Sequence, residues 1–169
     1  MSLKREEFLG MISKHQHLIR KVAAIYYRNP EDQEDAFQEI LLSLWKAYST
    51  FEGRSKLSTW IYKVALNTVL GGLKKASNKV HQNRTDTCIT DEILEKEEKD
   101  YTEEISVLYQ AIEQLSDIEK AITMLYMEEK NYDDIADIMG MTRNNVGVKI
   151  NRIKKKLKNL YKKVENGYR

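Results

Sequence analysis

Residues 131–160, NYDDIADIMG MTRNNVGVKI NRIKKKLKNL, carry two helical apolar patterns that meet at Gly140. Ile135, Ala136 and Met139 share one face of a short helix. Gly140 follows, the residue type best able to take a positive φ after a helix end. Met141 plugs the turn, and Thr142 is placed to cap the next helix. Val146, Ile150, Ile153, Leu157 and Leu160 then recur at helical steps. This is the pattern of a helix-turn-helix, whose second helix suits a DNA major groove. Arg143, Asn144, Asn145, Gly147 and Lys149 fall on its other faces near the N-terminus. Arg and Asn suit bidentate reading of guanine and adenine edges. Gly147 is expected to leave room for DNA to approach. The competing structural reading is a plain helical hairpin with a solvated basic face.

The distribution of charge supports a nucleic-acid partner more than its total does. The 169-residue chain has a formal net charge of only +2. Residues 143–169 hold ten Lys and Arg against Glu165 alone, a local charge of +9. Residues 86–104 hold nine Asp and Glu against Lys96 and Lys99, a local charge of −7. Such segregation suggests a basic binding end and an acidic, solvated connector. A single cysteine, Cys88, excludes an intramolecular disulfide and fits a reducing cytoplasm. No apolar run is long enough to cross a membrane, and MSLKREEF lacks the apolar core of a signal peptide. One proline and few glycines fit an all-α protein.

Helical spacing predicts a first helix over 4–28, broken by Asn29-Pro30, and a second over 31–49. Glu31, Asp32, Glu34, Asp35 and Glu39 load the first half of the second helix with negative charge, which favours a helix N-terminus. Residues 50–57, TFEGRSKL, read as a loop. A third helix starts at Ser58 or Thr59, and Gly71-Gly72 is expected to weaken its later turns. Residues 78–103 lack periodicity and read as a flexible acidic linker. Helical pattern resumes at Ile105. Ser116-Asp117-Ile118-Glu119 has the form of a capping box. The expected layout is two small helical domains, 1–77 with three helices and 104–169 with four, joined by the linker.

Four segments in order resemble the sigma factors of bacterial RNA polymerase, of the extracytoplasmic-function (ECF) type in the sigma-70 family. They are EDAFQEILLSLWKAY (34–48), F-x-G-R-S-K-L-S-T-W-I-Y-K-V-A-L-N (51–67), L-S-x-x-E-K-A-I-x-x-L-Y (115–126) and YDDIADIMGMTRNNVGVKINRIKKKL (132–157). The resemblance implies that 1–77 binds core polymerase and the −10 element, and that 104–169 binds the −35 element. It places Asp35, Gln38 and Glu39 at the surface that docks on the β′ clamp, and the C-terminal domain on the β flap. Phe51, Arg54, Ser55, Lys56, Lys63 and Asn67 match the segment that opens and reads −10 DNA, where an extruded base enters a loop pocket. Trp60 stands among them, suited either to the core or to stacking on a base. Thr142, Arg143, Asn144, Asn145, Lys149, Arg152 and Lys155 match the −35 surface. Arg152, Lys154, Lys155 and Lys156 are read as phosphate contacts. Promoter DNA and core polymerase are the implied partners, and an anti-sigma factor is one the family allows.

Relaxed, the 26 residues of the linker span on the order of 30 Å, and stretched on the order of 90 Å. Two DNA sites one or two turns apart, at about 34–36 Å per turn, are within reach. One rival reading is a helix-turn-helix regulator that binds duplex DNA without docking on polymerase. The other is an enzyme. His15 and His17 lie two residues apart and share no helical face. No phosphate-binding glycine loop or nucleophile–base arrangement appears, and the pattern calls for no metal or cofactor.

Overall fold

Asn29 and Pro30 make the first corner of the chain. Asn29 is extended at φ −75°, ψ 130°, and its Oδ1 accepts the Glu31 N–H at 2.9 Å. Pro30, whose missing N–H costs nothing at a helix start, opens the second helix one residue earlier than the charge pattern suggests. The computed structural model describes residues 2–82 and 103–167. Within them the regular elements are all helices: α1 (Ser2–Tyr26), α2 (Pro30–Tyr48), α3 (Leu57–Gln82), α4 (Glu103–Glu113), α5 (Asp117–Met127), α6 (Tyr132–Met139) and α7 (Arg143–Gly167).

Helices α1, α2 and α3 pack on one another as an N-terminal lobe. Phe8, Ile12, Ile19 and Val22 of α1 meet Phe37, Ile40 and Leu44 of α2 and Ile61 and Ala65 of α3 in its buried interior. Burying each large aliphatic side chain contributes roughly 1.5–3 kcal/mol. Phe8 also meets Trp45 and Tyr48 edge-on, at ring-centroid distances of 5.0 and 5.3 Å. Gly71 and Gly72 do not end α3, which runs on to Gln82. Their propensity cost is about 1 kcal/mol each, and the helix is already anchored by the packing of its first turns. The first five residues assigned to the linker are therefore helical. Its last residue, Glu103, opens α4, and 83–102, with Cys88, lie outside the described residues.

The C-terminal lobe holds α4 to α7, with α7 crossing α4, α5 and α6. Ser116 begins α5 with a complete capping box. Its hydroxyl accepts the Glu119 N–H at 3.3 Å, and Glu119 Oε2 accepts the Ser116 N–H at 2.9 Å. Asn131 caps α6 by accepting the Asp134 N–H at 2.8 Å. Gly140 sits in the left-handed region at φ 65°, ψ 40°, and turns the chain into α7. Ile135 and Ile138 are the fully buried residues of α6, while Ala136 and Met139 are half-buried beside them.

The two lobes are in contact. Helix α6 packs on α3, and α5 packs on α1 and α3. Tyr62 of α3 is fully buried, with Lys130 Nζ 5.6 Å from its ring centroid. Burial, and after it the negative charge of Glu128, pushes the Tyr62 phenol well above its usual pKa, yet its hydroxyl makes no hydrogen bond of normal geometry. Tyr26 is likewise raised, chiefly by burial and then by Asp117, and it donates to the Asp117 carbonyl at 2.6 Å.

Candidate nucleic-acid interface

Helix α7 presents the first surface. Thr142 Oγ1 accepts the Asn145 N–H at 3.2 Å, the capping bond the sequence predicts. Thr142, Arg143, Asn144 and Asn145 are all exposed, at the end where a recognition helix meets base edges. The Arg143 guanidinium lies 3.7 Å from the Asp133 carboxylate, a pair exposed on both sides and therefore weak. Val146, Ile150 and Ile153 are buried beneath. Lys149 is half-buried rather than turned fully to solvent, and Val148 is exposed.

Three residues of this helix make contacts within the protein that the sequence reading did not include. A Cβ on Gly147 would stand 3.5 Å from the Tyr132 ring, an ordinary contact, so Gly147 lies beside α6 as well as near the start of α7. Lys154 donates to the Tyr126 hydroxyl at 2.9 Å and lies 4.6 Å from that ring's centroid. Lys156 pairs with Glu119 Oε2 at 2.7 Å. These two lysines brace α7 on α5 while staying exposed, as Arg152 and Lys155 are beside them.

The loop between α2 and α3 presents the second surface. Thr50, Phe51, Glu52, Arg54, Ser55 and Trp60 line an open hollow of about 170 Å³. Phe51 and Trp60 face each other with centroids 4.7 Å apart and planes inclined at 39°. Gly53 takes φ 69° at the loop's tip. Arg54 pairs with Glu52 at 2.5 Å, both well exposed. The structure thus gathers Phe51, Arg54 and Ser55 at one hollow and adds Trp60, half-buried, to its wall. Lys56 is exposed but does not line it. Lys63 and Asn67 stand apart. Lys63 is held 3.1 Å from Asp137 of α6. Asn67 lines a separate cleft with Leu70, Lys74, Asp117 and Ile118.

The third surface is the acidic side of α2. Asp35, Gln38 and Glu39 are exposed, while Ala36, Phe37, Ile40 and Leu44 are buried against the lobe. Gln38 donates to Glu34 Oε1 at 3.0 Å. The Gln38 bond, partly opposed by desolvation and supported by Arg20, holds the exposed Glu34 carboxyl below its ordinary pKa.

Residues 11–79 match the family model for sigma-70 region 2, and residues 105–157 match that for sigma-70 region 4. The chain belongs to the sigma-70 family of sigma factors. Its curated relatives place it in the ECF branch. It is 27% identical to the ECF RNA polymerase sigma-E factor of Escherichia coli K12, over 89% of this chain and 84% of that one. It is 26% identical to the RNA polymerase sigma-H factor of Pseudomonas aeruginosa, over 86% and 81%. Among solved structures, the fold matches the sigma factor RpoE of Bartonella quintana, crystallised with the anti-sigma factor NepR. That match has a TM-score of 0.72 at 18% identity, covering 96% of this chain and 98% of the other. CnrH in complex with the cytosolic domain of CnrY matches with a TM-score of 0.64 at 14% identity, over 92% and 88%.

In this sigma factor, region 2 comprises most of the N-terminal lobe and region 4 the helix-turn-helix lobe. No helix among the described residues is long and apolar enough to cross a membrane. The sequence reading missed the brace of α7 on α5. A Lys at 154 and at 156 carries no local sign of pairing with residues 28 and 37 positions away.

Proposed function

We propose that this ECF sigma factor binds core RNA polymerase, directs it to promoters and takes part in opening them, as a binding subunit with no chemistry of its own, in the cytoplasm. The exposed acids of α2 dock on the β′ clamp, and region 4 docks on the β flap. The α2–α3 loop and the adjoining face of α3 take single-stranded −10 DNA. Region 4 lays the start of α7 in the major groove of the −35 element, with Arg152 and Lys155 on phosphates. An anti-sigma factor is a further proposed partner, because the solved relative RpoE was crystallised with one.

The observation that carries this reading is the aromatic hollow at Phe51 and Trp60. A flipped base requires a face to stack on and polar groups for its edge. The hollow offers both in a loop whose two ends are held by packed helices. A duplex-only regulator has no use for it, and the region 2 match over residues 11–79 also counts against that alternative. Capture of the full chain by core polymerase, followed by run-off transcription on genomic fragments, is the test. Absence of core binding would leave the duplex-binding regulator as the better reading.

A further inference from the structure

Helix α7 carries two rows of side chains with the same rhythm. Val146, Ile150, Ile153 and Leu157 turn inward, the first three buried and Leu157 half-buried. Asn144, Val148, Asn151 and Lys155 follow the same steps of four, three and four, displaced by two residues. Two residues are about 200° of an α-helix. The second row therefore faces away from the lobe, and all four of its members are exposed. Three of the four are polar, and among the described residues none of these three has its side chain engaged by another. Val148 stands in the middle of the row at 40% exposure. Among the described residues it is the only large apolar side chain of α7 that is exposed.

A lone exposed valine is ordinary on a protein surface. This one sits on the second turn of α7, and the N-terminal turns of a recognition helix are those that meet base edges. There a valine has a definite use. In the major groove thymine presents a C5 methyl group beside its O4 acceptor, and no other base presents a methyl. An isopropyl group takes that methyl out of water. Against a G·C pair it would cover the cytosine N4 donor or the guanine O6 and N7 acceptors and return no hydrogen bond, which costs affinity. Asn144 and Asn151, one turn to either side, carry the amide group that pairs with adenine N6 and N7. Lys155, at the end of the row, carries a charge for a phosphate where the helix leaves the groove.

We propose that Val148 is a specificity-determining residue of this sigma factor, which reads a thymine of the −35 element through its C5 methyl group, with Asn144 and Asn151 on adenines at the neighbouring steps. The proposal rests on the reading of α7 as the −35 recognition helix. It gives the element an A·T-rich centre. It also makes the choice of thymine over cytosine there depend on one methyl group rather than on a hydrogen bond.

The test uses the full-length chain bound to core polymerase, as wild type, Val148→Ser, Val148→Ile and Asn144→Ala. Both positions are exposed, and circular dichroism checks that the helices persist. Each form selects from a library of randomised duplexes. The selected −35 duplex is then remade with deoxyuridine in place of each thymine in turn, which removes the methyl group and nothing else. Wild type and Val148→Ile should select thymine at one shared position, and deoxyuridine there should weaken their binding about fourfold, the worth of one methyl group taken out of water. Val148→Ser should lose the preference at that position alone and bind the thymine and deoxyuridine duplexes alike. The salt slope should be the same for all three residues at 148, because no charge changes. A deoxyuridine penalty that persists in Val148→Ser overturns the proposal, since another group then reads the methyl. Wild-type binding that is indifferent to deoxyuridine at every thymine overturns it as well. If Asn144→Ala and Val148→Ser both select the wild-type sequence unchanged, the assignment of α7 to the −35 element fails, and the proposal fails with it.

Discussion

Trp60 closes over Phe51 at 4.7 Å across the loop that joins α2 and α3, and the two rings form one wall of an open hollow. Phe51 is half-buried, so its removal leaves the lobe's interior intact while taking away one face of the hollow. Phe51→Ala should weaken capture of a flipped −10 base by about 1–3 kcal/mol, the range for stacking of a base on an aromatic ring. The measurement is permanganate reactivity of promoter thymines in the holoenzyme. Normal reactivity in this variant, together with normal core binding, would reduce the hollow to a feature of the connector.

On α7 the structure separates cations that look alike in sequence. Arg143→Ala should cost about 1–3 kcal/mol in −35 duplex binding and relax base preference. Lys155→Ala should weaken all sequences alike and reduce the salt slope by about 1. Lys156→Ala should leave the salt slope nearly unchanged, because its ammonium is engaged with Glu119. Equal salt slopes for the Lys155 and Lys156 variants would contradict the division.

Asp35 and Glu39 point away from the buried side of α2. The double variant Asp35→Ala, Glu39→Ala should lose retention on core polymerase while keeping its helical circular-dichroism signal. Undiminished retention would move the docking surface elsewhere.

Glu119 serves two structures at once, the capping box with Ser116 and the brace with Lys156. Partial burial acts to raise its pKa, but the Lys156 and Ser116 contacts outweigh it and hold the carboxyl below 4.5. A carboxyl with a depressed folded pKa stabilises the fold above its unfolded pKa. That stabilisation is lost as pH falls from about 4.5 through the lower folded value. Glu119→Gln retains a side chain able to complete the box but removes the titration and the ion pair. Its stability should converge on that of wild type as the pH is lowered through this window, as measured by urea unfolding at a series of pH values. Ser116→Ala should cost about 1 kcal/mol at neutral pH. A gap between wild type and Glu119→Gln that stays constant down to pH 2 would show that the depressed pKa carries no stability.

The helices, their caps and the helix-turn-helix were determined by the sequence itself, because their causes are local. Apolar steps of three and four, Ser116 three residues before Glu119, Thr142 before Asn145, and Gly140 at a left-handed turn all act within one or two turns of chain. The acidic face of α2 was legible for the same reason, since helical spacing alone sets Asp35 and Glu39 opposite Phe37 and Ile40. Tertiary structure decided what each exposed-looking residue meets. Lys63 and Asp137 are 74 positions apart and Lys156 and Glu119 are 37 apart, and neither pair shares a periodic pattern. Gly147 lies against Tyr132 on another helix, and Trp60 joins the loop hollow because α3 returns beside Phe51. Helical periodicity says which face of a helix is apolar. Only the packing of lobes and helices says which of its polar side chains is already engaged by another part of the chain.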